Sequence, residues 1–413
     1  MFSQRTGWKL AQNRLTEALD DVRRNGARIL DLTRSNPTRV GLQYDAPAIL
    51  NALASPEALD YDPQPKGLRA AREAVAAYYR SDHNCDLDPE RIVLTTSTSE
   101  GYSFVFRLLA NPGDELLVPK PSYPLFEFLA DLQDVKLVPY PLIYDHGWQF
   151  DFHSLERAVS ARTRAAVVVH PNNPTGSYVK PAELRELNAL CRKHELCLIA
   201  DEVFLHYGLD GARGLKPASL LGSNGAAGSR ALSKPVHASF TANAEVLTFT
   251  LSGLSKVSAL PQIKVAWVAA SGPPDKVVAA MARLDIIADT YLSMNAPVQW
   301  AVPKLLEQRH SIQRQLQARV QANLAELDRQ LAAQQNCERL CVEGGWYAVL
   351  RVPVTRSDEE LCIELLRRES VLVHPGHFYD FPSDGYLVLS LIGPEEEFRE
   401  GIERVLRMIN VLY

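Results

Sequence analysis

Lys256 is the residue of this chain whose setting most invites chemistry. It follows a run rich in Val, Leu, Thr and Phe, residues 245–251 (EVLTFTL), which breaks at Ser252-Gly253. Beyond it lie Pro261 and a second apolar run, 263–270. The first run reads as a buried strand, so the lysine belongs to a tight loop at a strand end. Burial lowers the pKa of an amine, which is what a Schiff-base lysine needs. By itself a Ser-Lys pair in a loop is ordinary, and the reading depends on what else gathers there. Candidates are the hydroxyl-rich turn Ser97, Thr98 and Ser99, the aromatic Tyr123, Asn173 within PNNPTG (171–176), and Asp201 within the apolar CLIADEVF (197–204).

The elements that would position these residues alternate regularly. Strands are expected over 91–96, 115–118, 136–140, 165–169 and 197–204, with helices over 99–110, 125–132, 155–159 and 181–194 between them. The strands are continuous apolar runs, as expected when helices cover both faces of a mostly parallel sheet. Upstream, a helix is expected over 8–25, a short strand over 29–33, and helices over 47–54 and 68–79. Residues 208–233, rich in Gly, Ala and Ser, break the alternation and read as a mobile surface loop. Helices follow over 275–291 and, as one long stretch, 298–334. The remainder, 338–413, reads strand, helix, strand, strand, helix, a smaller α+β unit. The expected division is an N-terminal arm and small-domain segment over 1–45, a large α/β domain over 46–300, and a small C-terminal domain over 301–413, joined by the long helix.

In doubly wound sheets the ligand site lies beyond the carboxyl ends of the strands. The candidate residues sit at successive ends: a helix N-terminus suited to a phosphate, an aromatic platform, an amide, a buried acid and the lysine. Each has an ordinary reading alone, as turn residue, packing, cap or ion pair. Their order describes a pyridoxal phosphate pocket, in which the lysine makes the covalent link and moves a proton while the acid keeps the pyridine nitrogen protonated.

The chain also resembles the fold-type I pyridoxal phosphate-dependent aminotransferases of class I/II. The resemblance runs from SNPT through EGGWY to LSLIGPEEEF and is specific at PGDE (112–115), LVPKPSYP (117–124), PNNPTG, ADEVF (200–204) and LSK (254–256). It implies that Lys256 binds pyridoxal 5'-phosphate, Asp201 pairs with the ring nitrogen, and Asn173 bonds the ring hydroxyl. Tyr123 would stack on the ring, Thr98 and Ser99 would hold the phosphate beside Ser97, and Tyr61 would reach the neighbouring site of a homodimer. The implied activity is exchange of an amino group between an amino acid and a 2-oxo acid.

Four positions depart from the family pattern. Phe204 stands where a tyrosine usually donates to the ring hydroxyl, which predicts a more basic ring oxygen. Gly253 replaces a common phosphate-binding serine, for which Ser252 could substitute through a backbone shift. Lys264 replaces an arginine, a point charge in place of a bidentate fork. Val388 stands where an arginine usually binds the substrate carboxylate. Arg34 and Arg39, flanking the Asn36 turn, are the candidate replacements. Val388 also keeps alternatives open: a pyridoxal phosphate-dependent lyase or decarboxylase, or an amine transaminase. A regulatory domain that kept the fold without catalysis is disfavoured by the presence of Lys256, Asp201 and Asn173. Tyr123, Phe126, Trp346 and Phe378 could line an apolar pocket.

Composition narrows the partners. The formal net charge is -5, which offers no general attraction to nucleic acid or anionic membrane. No apolar run is long enough to span a bilayer, and residues 1–15 lack a secretory core, so a cytoplasmic location is expected. The six cysteines make neither a disulfide framework nor a zinc spacing, and no metal is expected.

Overall fold

The computed structural model describes residues 1–8, 10–123, 126–209 and 238–412. The loop expected over 208–233 lies almost wholly outside the described residues, as does the start of the helix expected at Leu125.

An eight-stranded sheet organises the chain in the order Ile92–Thr95, Ala266–Ser271, Thr248–Gly253, Cys197–Asp201, Thr163–Val169, Glu115–Lys120, Lys136–Tyr144, Trp148–Phe150. The five strands from Thr248–Gly253 to Lys136–Tyr144 are mutually parallel. Ala266–Ser271 is antiparallel to both neighbours. Because side chains alternate across a strand, the sheet holds separate cores on its two faces. Val167, Ile199, Phe249, Leu251 and Val268 pack with Phe104 and Val105 of the helix Thr98–Leu109 and Leu284 of Pro274–Tyr291. The alternate residues Val168, Leu198 and Ala200 pack with Leu187 of Pro181–Lys193 and with Leu316 of Arg309–Leu331.

A second, four-stranded antiparallel sheet has the order Glu338–Arg339, Tyr347–Arg351, Tyr386–Ser390, His374–Pro375. Leu30–Asp31 pairs in parallel with Val371–Leu372, and the helix Arg14–Arg24 packs on Asp358–Glu369, so the N-terminal segment joins this smaller unit.

Three local expectations need correction. The first helix begins at Arg14 and not near Trp8, because the Asn13 side chain caps it by accepting from Thr16 N at 2.7 Å. The strand from Lys136 continues to Tyr144 and turns back as Trp148–Phe150, a hairpin the sequence reading passed over. The long helix is two, Ala296–Glu307 and Arg309–Leu331. At the junction the Arg309 guanidinium donates to Leu306 O at 2.7 Å, satisfying a carbonyl that a helix end leaves open.

Candidate active site

Lys256 lies on a single helical turn, Leu254–Val257, immediately after the strand Thr248–Gly253. The buried Tyr207 hydroxyl donates to Lys256 O at 2.7 Å, and Leu254 N to Val265 O at 2.9 Å, so the turn is held from two sides. The Lys256 amine sits 4.7 Å from the centre of the Trp346 ring and 5.4 Å from that of Phe204. No described residue offers it a hydrogen bond. Desolvation brings its pKa down to about 8, against an opposing pull from Asp201.

Asp201 ends its strand on the face shared with Ile199. Tyr102 Oη donates to Asp201 Oδ2 at 3.1 Å and Val203 N to Oδ1 at 3.1 Å. Burial nonetheless pushes this carboxyl up to about 6. Tyr123 is 37% exposed and close enough to feel the Asp201 charge. Asn173 is buried in the turn after Thr163–Val169, with its Oδ1 unpartnered. That turn is held closed by Gly176 N to Asn172 O at 2.8 Å. Gly176 has φ +71°, and a Cβ there would meet Gly344 O at 2.5 Å, so only glycine fits.

Ser97 caps the helix Thr98–Leu109 by accepting from Glu100 N at 3.2 Å, which leaves the N–H groups of Thr98 and Ser99 without described acceptors. Gly253 allows the close approach of strand Ala266–Ser271, since a Cβ would meet Ala266 Cβ at 2.8 Å. Ser252 points to the opposite face from Leu251 and Gly253. Its buried hydroxyl has no described partner and lies away from the Thr98 end. Lys264 is exposed, with φ 61° and no described ion pair.

The remaining candidates make contacts of their own. Tyr61 is 84% exposed and lines a separate surface cavity of about 460 Å3 with Phe104, Met294 and Trp300. Arg34 pairs with Glu397 at 2.8 Å and lies 4.0 Å from Asp31, while Arg39 is exposed without a described ion pair. Asn36 uses its Oδ1 on Thr38 N and Oγ1, at 3.0 and 2.8 Å. Val388 is buried in the small sheet.

The sequence reading missed Tyr102 and Tyr207, which orient Asp201 and Lys256. Tyr102 could have been found from its place one turn after Thr98 on the helix that opens at the hydroxyl turn.

These residues suit a flat aromatic aldehyde with a phosphate tail. An enclosed amine without a partner, an acid near its pKa, an orphaned amide oxygen and open helix N–H groups are what such a group would satisfy. The profile of the family described as "Aminotransferase class I and II" matches residues 29–405. The chain belongs to this family. Glutamate-pyruvate aminotransferase AlaA of Haemophilus influenzae is 28% identical over 400 residues, covering 93% of this chain and 91% of that protein. Alanine aminotransferase of Mycobacterium tuberculosis is 28% identical over 394 residues, covering 92% and 85%. In fold, alanine aminotransferase from Pyrococcus furiosus superposes with a TM-score of 0.86 at 22% identity, covering all of both chains. A double mutant of Thermus thermophilus aspartate aminotransferase does so at 0.81 and 23%, covering 98% and 99%.

As a class I and II aminotransferase the protein uses pyridoxal 5'-phosphate and moves amino groups between amino acids and 2-oxo acids. The lyase, decarboxylase and amine-transaminase alternatives are not favoured by these relatives. Among the described residues, no helix is long and apolar enough to cross a membrane and no His, Cys, Asp and Glu cluster could hold a metal.

Proposed function

We propose that Lys256 is the catalytic lysine of an aminotransferase that accepts L-glutamate and pyruvate, the pair in the printed name of one relative. The observation that carries this is the enclosed Lys256 amine, without a hydrogen-bond partner and near Asp201. When bound, pyridoxal phosphate supplies the reactive carbonyl and the electron sink for amino-group exchange. With a pKa of about 8, about a tenth of the Lys256 amine is unprotonated at pH 7, enough for it to act as nucleophile and then as base. Asp201, steered by Tyr102, holds a proton at the ring nitrogen. Asn173 and Tyr123 would hold the ring, and Ser97, Thr98, Ser99 and Lys264 would hold the phosphate. Phe204 offers no proton to the ring oxygen.

We further propose a cytoplasmic homodimer in which Tyr61 enters the neighbouring site. Its exposure, with Leu59 at 90% and Leu292 at 43% nearby, supports this. The domain division at about residues 45 and 300 belongs to the same reading.

The test is single-turnover. Stoichiometric L-glutamate is expected to convert the bound cofactor to its amine form in the wild type and not in Lys256→Ala. Conversion at equal rates in both proteins would sink the assignment.

A further inference from the structure

Val388 shares a face of the small sheet with Tyr347, and through Tyr347 that face meets Phe204 beside Lys256. Residues directly opposite on antiparallel strands share a face. Tyr347 lies opposite Ser390, Val349 opposite Val388, and Val388 opposite His374. The Tyr347 ring is edge-on to Phe204 at 6.2 Å, and Phe204 is 5.4 Å from the Lys256 amine. The alternate residues Ala348, Leu350, Leu387 and Leu389 are buried on the opposite face.

Directly opposite the valine on this face, His374 is the polar partner. It is half-buried, and its Nδ1 lies 3.0 Å from Tyr379 Oη. The Tyr379 ring is 6.4 Å from Tyr347. Asp31 is the charged group that acts on His374 and tends to raise its pKa, but burial outweighs it. The cations Arg34 and Lys120 are already paired, Arg34 with Glu397 and Lys120 with Asp380 at 3.3 Å. His374 Nε2 has no described partner.

We propose that His374, oriented by Tyr379, receives the substrate carboxylate in place of the side chain that Val388 lacks. With the Tyr379 proton directed at Nδ1, the imidazole presents Nε2–H as the donor. One donor replaces a bidentate fork, so binding is weaker than an arginine would give. The inference rests on the aminotransferase reading of Lys256.

The experiment uses the pyridoxal phosphate-loaded enzyme. It compares L-alanine with L-alaninamide, which lacks the carboxylate, in wild type, His374→Leu, His374→Gln and Tyr379→Phe. His374→Leu is expected to raise KM for L-alanine about 10–100-fold, the effect of one hydrogen bond to a charged group, with kcat nearly unchanged. L-Alaninamide should be insensitive. His374→Gln, which keeps an N–H donor, should recover most of the loss, and Tyr379→Phe should fall between. Equal changes for both donors, no change, or a wild type that does not prefer the carboxylate would each overturn the proposal. Should the wild type convert no 2-amino acid at all, the aminotransferase reading of Lys256 fails, a result distinct from those three.

Discussion

Restoring the serine common in this family at position 253 should harm the protein. Gly253 has φ 178° and ψ 166°, an extended conformation open to any residue, so the obstacle is space and not backbone strain. An added Cβ would lie 2.8 Å from Ala266 Cβ, 2.9 Å from Ala266 Cα and 2.9 Å from Val265 O. These atoms belong to the paired strand and to the residue just before it, so no flexible side chain can swing away. Relief requires the two strands to part just ahead of the turn that carries Lys256. Overpacking of this kind costs about 1–3 kcal/mol. For 413 residues unfolding with roughly 2.1 cal/mol/K per residue, that lowers Tm by about 1–4 °C. The assay is calorimetry of cofactor-free wild type, Gly253→Ser and Gly253→Ala, with cofactor affinity measured by titration. Both variants should melt lower by similar amounts, because the Cβ and not the hydroxyl is responsible, and neither should bind the cofactor more tightly. If Gly253→Ser melts with the wild type and holds the cofactor more tightly, the steric argument is wrong.

Two further outcomes follow from buried charges. Asp201 is pushed up to about 6, above its unfolded value, so in the cofactor-free protein its protonation favours the native state. That stability is present below about pH 4 and is lost as pH rises through 6, a swing of about 3 kcal/mol for roughly two units. Asp201→Asn should abolish this slope between pH 4 and 7, and identical melting profiles would count against it. Arg309 is bidentate to Asp82 at 2.8 and 2.7 Å and largely buried. Arg309→Leu should cost about 3–5 kcal/mol by stranding Asp82, and adding Asp82→Asn should recover part of it. Denaturant titrations of the full double-mutant cycle check this, and strict additivity would refute the coupling.

The amino-acid sequence determined the fold class and singled out the proposed ring-binding set. Continuous apolar strands separated by helical runs lead to a parallel sheet, and such a sheet gathers its strand ends at one edge. Lys256, Asp201, Asn173 and Ser97 to Ser99 were therefore legible as candidates, because each lies within a few residues of a strand that announces itself. The tertiary structure alone decided what surrounds them. Tyr102 meets Asp201 across 99 positions and Tyr207 meets Lys256 across 49, contacts that leave no local pattern. The same holds for Trp346 over the Lys256 amine, for His374 opposite Val388, and for the Arg309–Asp82 pair at the helix junction. It holds for Gly253 as well. In the chain it reads as a missing serine, and in the sheet it is the residue that lets the neighbouring strand come close enough to set the Lys256 turn. Local propensity and periodicity are properties of neighbours in sequence. Space and hydrogen-bond partners are properties of neighbours in the fold.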